Sequence, residues 1–464
     1  MAAAGLSGCA SMQPGLGFDD VGRSVSERTG QRVHWDNGSA EDGQARAAVR
    51  ALLADELTAD GAVQIALLNN RALQAVYEDL NLAQADLVQA GLLRNPVFGG
   101  EVRWATSGGG VGVVLDLSQD FLSLLTMGLR QGRAGAAFEL AKARVAGAVL
   151  DLAGETRGAY YELVAAEQMR ELRGTILESM SASAELAERL RAAGNFRELD
   201  VVSERAAAEE ARLELAAAEA EIVQRREVLN EHMGLWGAAT GWRAPGRLLP
   251  VPTEEISGAG LESRAVSRSL ALEADRREIE VAGRALGLAQ PLALLGELDV
   301  GVAAEREIDG QWSVGPSLSL PIPLFDQGQG AIGKARAELR GATQRYYANA
   351  VSLRARVRAA HAALLSARAR TTYIEQVVLP LRAKIVSESQ LQYNAMQIGA
   401  FQLLQARRDQ AEGGVRYVES LRGYWLARAR LEQLLGGPPS RERWSNNFDA
   451  NPRSSSTDSR EGGH

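Results

Sequence analysis

The sequence predicts a mainly α-helical protein with a transmembrane β part, in which a helix–β-hairpin–helix unit occurs twice. Three observations support this fold class. Hydrophobic residues make up 46% of the 464 residues and aromatic residues only 5%, and a surplus of Ala, Leu and Val is typical of long helices with small contact residues. Two proline-poor runs are far longer than an ordinary helix. Each run follows a pair of strand-like segments of about ten residues, the length of a tilted transmembrane β-strand.

The duplication divides the chain into five parts. A signal remnant, a lipobox and an N-terminal segment are predicted at 1–56, and a linker rich in Pro and Gly at 237–256 separates the two copies. The first repeat is predicted at 57–236 and the second at 257–437. The last part, 438–464, is rich in Ser and Gly and is predicted to be a disordered tail.

Each repeat is expected to contain one β-hairpin, at 97–121 and at 295–322. Pro96 and Pro291 are each predicted to end a helix, because proline cannot continue a helix and disfavours the α conformation in the residue before it. Asp309-Gly310 is a common turn pair for the second hairpin. The predicted strands are 97–106, 111–121, 295–306 and 311–322.

The hydropathy of the sequence argues against transmembrane helices but not against transmembrane strands. No stretch approaches the roughly 18 to 20 uninterrupted apolar residues of a transmembrane helix, and the mean hydropathy is −0.15. Alternating strands leave only a weak hydropathy signal, so this result does not exclude β-spans. Trp104 and Trp312 near the predicted hairpin turns suit an aromatic girdle, and burial in a soluble hairpin is the alternative.

A very long helix is predicted after each hairpin. Residues 122–193 contain no proline, and one helix of that length would extend roughly 100 Å. The matching run, 330–397, is interrupted only by Pro380, where we expect a kink. Apolar residues recur in the first run at coiled-coil spacing, as at Ile176 and Met180, with alanine between them.

A Gly-x-Phe segment ends each long run. The two segments, Gly194-Asn195-Phe196 and Gly399-Ala400-Phe401, are 205 positions apart. Each is followed by a helical return run that stops at a glycine, Gly234 in one repeat and Gly436 in the other. The predicted order is therefore helix, hairpin, long helix, tip and return helix, repeated once.

Composition and motifs argue against several functions. A net charge of −7 argues against nucleic-acid binding, which depends on a positively charged surface. No histidine pair has ligand spacing and no nucleophile lies beside a base, so we predict no metal site, no cofactor and no catalysis. Met396 is interpreted as a packing residue rather than a copper ligand. The GxGxxG at 328–333 is assigned to a sharp turn, because helix-like sequence follows it where a dinucleotide fold needs a second strand.

Cys9 is the single cysteine, so it has no partner for an intramolecular disulfide. It closes a Leu-Ser-Gly-Cys stretch that resembles the lipobox of bacterial lipoproteins, whose cysteine is acylated after signal cleavage. A chance thiol in a disordered N-terminus is the alternative. Only eight residues precede Cys9, fewer than a signal peptide needs, so the true start is expected upstream of Met1 or the chain has been shortened.

Over 57–436 the chain resembles the TolC-like outer-membrane efflux channel family, in particular the lipid-anchored members that serve resistance-nodulation-division tripartite pumps. The resemblance is carried by 90–96 before the first hairpin, 315–325 closing the second and 393–396 before the second tip. It implies a homotrimer in which each protomer gives four strands to a 12-stranded outer-membrane β-barrel, continued by a long periplasmic α-helical barrel. The physics agrees, because open sheet edges are not tolerated in lipid and four strands do not close alone.

The family resemblance also implies a function and partners. The protein would be a passive exit duct for small molecules or ions, driven by an inner-membrane pump through a periplasmic adaptor, also called a membrane fusion protein. It would be anchored in the outer membrane of a Gram-negative bacterium by acylated Cys9. A type I secretion duct and a non-channel periplasmic helical scaffold or adaptor are the alternatives. The sequence does not identify the cargo.

The resemblance places a periplasmic gate on the tip helices. Gln402 and Gln405 lie where many relatives carry carboxylates, which argues against strong cation selectivity there. Glu198 and Asp200 are candidates for negative charge, and Arg407 and Arg408 for ion pairs that lock neighbouring helices. For each of these residues the alternative is a solvated helix face.

The tip segments themselves match the region where family members meet the adaptor. The expected contact residues are Gly194, Asn195, Phe196, Gly399, Ala400 and Phe401. A phenylalanine at an exposed turn between helices suits an interface anchor. The alternative is that each glycine only breaks a helix while the phenylalanine packs locally.

Overall fold

The computed structural model describes residues 12–104, 110–295, 298–307 and 309–437. Cys9 and the predicted tail at 438–464 lie outside these ranges. A 3₁₀ turn spans Gly237–Thr240. The α-helices are α1 (Phe18–Thr29), α2 (Ala40–Ala54), α3 (Ala59–Asn69), α4 (Arg71–Ala90), α5 (Phe121–Ala192), α6 (Glu198–Met233), α7 (Leu261–Arg268), α8 (Leu270–Leu295), α9 (Gln329–Tyr373), α10 (Leu379–Asn394) and α11 (Ala400–Leu434). The strands are β1 (Val97–Trp104), β2 (Val111–Asp120), β3 (Asp299–Arg306) and β4 (Trp312–Ser319).

The predicted first long helix is confirmed as α5, a single helix of 72 residues. It starts directly after β2, where the Asp120 side chain accepts a hydrogen bond from the Ser123 N–H at 2.9 Å and so caps the first turn. Because 97–244 contains no proline, nothing in the sequence interrupts the helical hydrogen bonds. One helix therefore connects the sheet to the far tip of the molecule.

The second long run is divided where Pro380 predicts an irregularity. A π-helical segment, Ile374–Val378, joins α9 to α10, and Pro380 lies at the start of α10. Proline has no N–H, so one carbonyl in the preceding turn has no helical partner, and the wider π turn accommodates this.

The helices pack side by side along α5. In the half next to the sheet, α5 lies between α4 and α8, and α9 packs on the other side of α8. In the half next to the tips, α5 lies between α6 and α11, and α9 and α10 pack against α11. The protomer is thus a layer with α4 and α6 along one edge and α9 and α10 along the other.

The four strands form one antiparallel sheet in the order β1-β2-β3-β4. The pairing of β2 with β3 joins the two repeats, with Asp120 opposite Asp299 and Val113 opposite Arg306. Consequently β1 and β4 are the edges of the sheet. No helix in the described part of the chain is both long and apolar enough to cross a bilayer.

The predicted start of the second hairpin is wrong. Pro291 lies inside α8, which continues to Leu295, and β3 begins at Asp299 rather than at 295. Proline costs one hydrogen bond near the end of a helix of 26 residues, and the packing of α8 on α5 and α9 maintains the helix through this position. The predicted helix end before Pro96 is confirmed, since α4 ends at Ala90.

The largest hydrophobic cluster lies midway along the helices, where the linker 237–256 crosses them. Trp242 of the linker is buried, and its indole N–H donates to Asn230 Oδ1 at 2.9 Å. The Arg226 guanidinium lies 4.1 Å from the centre of the same indole. A smaller cluster nearer the tips, around Ile176 and Met180, contains several alanines, as the coiled-coil pattern predicts.

Candidate functional site

The two tip turns, 193–197 and 395–399, connect the long helices to the return helices α6 and α11. Both long helices end in the same backbone motif. The Asn195 N–H bonds to Leu190 O at 2.9 Å, and the Gln397 N–H bonds to Gln392 O, also at 2.9 Å. These are the long-range hydrogen bonds of Schellman turns, which require a left-handed residue just before the donor. Gly194 occupies that position in the first turn, with φ 77°, and Met396 in the second, with φ 54°.

This geometry corrects the offset between the repeats. Structurally equivalent positions are 202 apart rather than 205, because Gly194 corresponds to Met396 and Arg197 to Gly399. Gly399 is the N-cap of α11 and has an extended backbone, with φ −80°. The two Gly-x-Phe segments therefore look alike in sequence, but their glycines have different structural positions. Gly194 lies just after the end of α5, whereas Gly399 lies just before the start of α11.

The two predicted phenylalanines meet. The rings of Phe196 and Phe401 are stacked, with centroids 4.7 Å apart and an interplanar angle of 13°. Both side chains are half-buried. The stack joins the first tip turn to the start of α11, so the alternative of local packing applies to this pair within the protomer.

The predicted acidic residues of the first tip are paired with arginines. Glu198 forms an ion pair with Arg191, and Asp200 accepts two hydrogen bonds from Arg197, at 2.8 and 3.1 Å. The hydrogen bonds with Asp200 raise the pKa of the Arg197 guanidinium. Both carboxylates lie in the first turn of α6, where the helix dipole favours negative charge. Their charge is thus largely compensated within the tip.

Gln402 has a structural role in the second tip. Its Oε1 accepts a hydrogen bond from the Gly399 N–H at 2.7 Å, which satisfies one of the donors left unpaired at a helix start. The Gln402 carboxamide oxygen therefore caps the start of α11.

Gln405 belongs to a polar chain across α10 and α11. Its amide donates to Asp409 Oδ1 at 2.8 Å, and Asp409 Oδ2 pairs with Arg382 of α10 at 2.9 Å. Asp409 and Arg382 escaped the sequence analysis, although Asp409 lies one helical turn beyond Gln405. A carboxylate is thus present on α11 close to the position where the resemblance predicts one.

The two predicted arginines differ in their partners. Arg407 donates to Gln390 Oε1 of α10 at 3.1 Å, which connects the two helices through a hydrogen bond. Arg408 pairs with Glu412 on its own helix at 3.4 Å. Within the protomer, the ion pair that joins α10 to α11 is therefore made by Arg382 and Asp409.

A buried polar cluster fixes the linker to the return helix. Glu255 accepts hydrogen bonds from Tyr424 at 2.8 Å, from Arg428 at 3.2 Å and from Arg368 at 3.2 Å. Arg428 also donates to Glu432 at 3.1 Å. Burial raises the pKa of the Tyr424 hydroxyl to about 12, so it stays a protonated donor. This junction cluster (Glu255, Arg368, Tyr424, Arg428, Glu432) was not found from the sequence, because Glu255 and Arg368 lie far along the chain from the three members on α11.

The structure also tests three sequence predictions made outside the tips, for the GxGxxG motif and the two tryptophans, and within them, for Met396. Gly328 of the GxGxxG is the left-handed N-cap of α9, so this motif opens a long helix, as the turn interpretation expected. Trp104 and Trp312 are 72% and 57% exposed, so the buried alternative is wrong for the protomer. The packing role predicted for Met396 is also wrong, because its side chain is 94% exposed where the helix has already ended.

Comparisons with known proteins agree with this architecture. Residues 62–235 match the outer membrane efflux protein family. The cobalt-zinc-cadmium resistance protein CzcC of Cupriavidus metallidurans is 25% identical over 392 residues, which cover 82% of this chain and 91% of that protein. A membrane protein from Pseudomonas aeruginosa has the same fold, with TM-score 0.68 and 18% identity over 84% of this chain and 93% of that one. The CmeC outer membrane channel of Campylobacter jejuni gives TM-score 0.68 and 16% identity, with 82% and 85% covered.

The fold, with its duplicated long helices and small four-stranded sheet, is the same as that of the CmeC outer membrane channel. Residues 62–235, in the first repeat, are similar to the outer membrane efflux protein family, and the similarity to CzcC extends over 82% of the chain. The resemblance found in the sequence is thereby confirmed.

Proposed function

We propose that the protein is the trimeric exit duct of a tripartite efflux pump, held in the outer membrane by acylated Cys9. The observation that carries the proposal is the unclosed architecture of the protomer. The sheet ends in two unpaired edges, β1 and β4, and exposed edges are not sustained in lipid. Three copies arranged head to tail pair β4 of one with β1 of the next and close a sheet of twelve strands.

The two edges of the helical layer, formed by α6 on one side and by α9 and α10 on the other, both carry exposed apolar side chains. Along α6, and along α9 and α10, large apolar side chains are more than half exposed in the protomer. On α6 these are Leu199, Val202, Leu213 and Val223, and on α9 and α10 they are Tyr347, Val351, Tyr373, Leu381 and Leu391. The same rotation that pairs the sheet edges brings α6 of one copy against α9 and α10 of the next. Burying such stripes contributes about 25 cal/mol per Å² of apolar surface.

We place the gate at the tip turns and the polar chain of Gln405, Asp409 and Arg382. Because Asp409 lies on α11 one helical turn beyond Gln405, negative charge is available near the proposed constriction. Arg382 neutralises much of it in this conformation, so the selectivity of the gate depends on whether that ion pair persists. The proposed adaptor-contact residues Gly194, Asn195, Phe196, Gly399, Ala400 and Phe401 lie on or beside the same turns.

We infer divalent transition-metal cations as the cargo class. The support is the name of CzcC, a cobalt-zinc-cadmium resistance protein, which is similar to this chain over 82% of its length. The test is the growth of a strain lacking the gene, with and without the gene restored, on graded cobalt, zinc and cadmium salts. Equal tolerance with and without the gene would remove these metals from the cargo.

The channel assignment is tested by the mass of the particle that detergent extracts from outer membranes. After the detergent contribution is subtracted, we expect about 149 kDa, three times the 49.6 kDa of one chain. A monomer or dimer released without detergent would refute the trimeric duct and favour a periplasmic scaffold.

A further inference from the structure

The two faces of the four-stranded sheet differ in polarity. Directly paired residues lie on the same face, and successive residues of a strand alternate between the faces. The register therefore places the carboxylates of the sheet together on one face, here called the polar face: Glu101, Asp116, Asp120, Asp299 and Glu305. The opposite, apolar face carries large hydrophobic side chains, among them Phe98, Leu115, Leu117, Val302, Val314 and Leu318. A face of this kind suits contact with lipid chains.

Arg306 is the one charged residue on the apolar face of the four strands. It pairs with Val113 of β2 on one side and with Trp312 of β4 on the other, and it is exposed. Within the described part of the chain, no residue forms an ion pair or a hydrogen bond with its side chain. An uncompensated guanidinium on a lipid-facing surface is costly at the middle of a bilayer and is tolerated near the headgroups.

The position of Arg306 fits the headgroup level. The helices join the sheet at the end where Asp299 starts β3, and Arg306 is the last residue of that strand, beside the hairpin turn. A Cβ atom on Gly310 of this turn would lie 3.9 Å from Arg306 Nη2, so the guanidinium extends toward the turn and away from the apolar centre. Long cationic side chains reach headgroups in this way. Trp104 and Trp312 lie at the same end and are exposed, as expected at a membrane interface.

A second arginine of the sheet provides a contrast. Arg103 lies close to the same end but on the polar face, where it pairs with Glu101 at 2.9 Å and with Glu305 at 3.7 Å. Its charge is compensated within the protomer. Asp309, the nearby carboxylate of the turn, accepts a hydrogen bond from the Gln311 N–H at 3.0 Å and does not pair with Arg306. The uncompensated positive charge is therefore on the apolar face alone.

We propose that Arg306 binds the phosphate group of an anionic lipid in the outer leaflet, while Trp312 and Val314 contact the chains of the same lipid. A guanidinium donates two parallel hydrogen bonds to phosphate oxygens, and the neighbouring side chains of the apolar face supply the surface for the chains. The proposal rests on the proposed function, because the sheet must lie in the membrane with its hairpin turns outward. A trimer then carries three such sites.

Three variants isolate the charge of Arg306. R306Q removes the charge, R306K keeps a charge without the planar guanidinium, and R103Q is the matched control, because it removes an arginine from the polar face of the same sheet. Each is made in the full-length chain and purified as the particle that an uncharged detergent extracts. The particle is mixed with equal amounts of phosphatidic acid and phosphatidylcholine, unbound lipid is removed by gel filtration, and the retained lipids are counted by native mass spectrometry.

We expect the wild type to retain phosphatidic acid over phosphatidylcholine by about fivefold, the effect of one cation at a membrane surface. R306Q should show no preference, whereas R306K and R103Q should remain within about twofold of the wild type. Excess inorganic phosphate should leave the retained lipid unchanged, because the chains also contribute to binding.

Four results would overturn the proposal. Retention of the preference in R306Q would show that Arg306 does not bind the headgroup. Equal losses in R306Q and R103Q would show that the net charge of the particle is responsible, and loss in R306K as well as in R306Q would show that the positive charge is not. Displacement of the lipid by inorganic phosphate would assign the site to the free ion instead.

Failure of the underlying function has a different signature. If the wild-type chain is released from cells without detergent, the sheet does not lie in the membrane and the exit-duct proposal itself fails. If the wild type is a detergent-extracted trimer and R306Q retains the same lipids, only the role of Arg306 fails.

Discussion

Replacing Gly234 by Ala should destabilise the protein more than the same change at any freely exposed left-handed glycine. Gly234 ends α6 with φ 64°, and a Cβ there would lie 2.7 Å from the Asn69 carbonyl oxygen and 3.1 Å from Asn70 Cα. Both neighbours are backbone atoms at the corner between α3 and α4. That corner is bound to the end of α6, since the Asn69 amide donates to Met233 O at 2.9 Å and to Gly234 O at 2.8 Å.

The expected loss of unfolding free energy in the Gly234→Ala variant has two contributions. The left-handed backbone costs an alanine about 1 to 2 kcal/mol. Moving the corner weakens two or three hydrogen bonds of about 1 kcal/mol each, so the total is about 3 to 5 kcal/mol. Gly237 is a matched control, because it has φ 59° and open space around its Cβ position, and its alanine variant should lose only the backbone contribution of about 1 to 2 kcal/mol.

Thermal unfolding of the detergent-extracted particle, followed by circular dichroism at one scan rate, distinguishes the two variants. The unfolding entropy is about 2.1 cal/mol/K per residue, so for 464 residues a loss of 1 kcal/mol lowers the midpoint by about 1 °C. We expect a decrease of about 3 to 5 °C for G234A and about 1 to 2 °C for G237A. Equal decreases would refute the proposed contact of the α6 end with the α3–α4 corner.

Three further predictions concern charges. Replacing Glu255 by Gln removes the carboxylate charge from the junction cluster and should lower the free energy of unfolding by about 2 to 3 kcal/mol. The reason is that the Arg428 guanidinium stays buried and keeps only part of the negative charge that neutralises it. The unfolding temperature measures this loss. Gln405→Asp should increase cation selectivity in planar bilayer recordings if Gln405 lines the constriction, which the reversal potential reports. The hydrogen bond from Lys142 lowers the pKa of Asp20, so the stabilisation by this carboxylate exists above the ordinary carboxyl range and disappears as the pH falls through the lowered value. Asp20→Asn should therefore lower the unfolding temperature slightly at pH 7, by less than about 1 kcal/mol of stability, and hardly at pH 2.

Each of these predictions has a control. Glu262→Gln removes an exposed partner of Arg358, at 3.0 Å, and should leave the unfolding temperature nearly unchanged; a similar loss at both glutamates would contradict a special role of the junction cluster. Gln344→Asp adds the same charge on α9, far from the tips, and an unchanged reversal potential for Q405D would remove Gln405 from the constriction. A difference between D20N and wild type that is the same at pH 7 and pH 2 would show that the carboxylate charge is not responsible.

The sequence alone was sufficient for the overall architecture, because that architecture depends on local patterns. The long proline-free run around α5, the two hairpins and the glycines that stop the return helices are each encoded within a few tens of residues. Duplication reinforced the prediction, since each element occurs twice. The main error, the end of α8, arose where a local rule for Pro291 was overridden by the packing of that helix on its neighbours.

The tertiary structure decided which residues work together. The Phe196–Phe401 stack joins residues about 200 positions apart, and Glu255 meets Arg428 over a similar distance; no local periodicity encodes such pairs. The correct alignment of the tips also required backbone geometry, because Gly194 and Gly399 are the same residue type in different conformations, whereas Gly194 and Met396 are different types in the same one. A sequence specifies side chains directly, but φ values and long-range contacts depend on the packing of the whole chain.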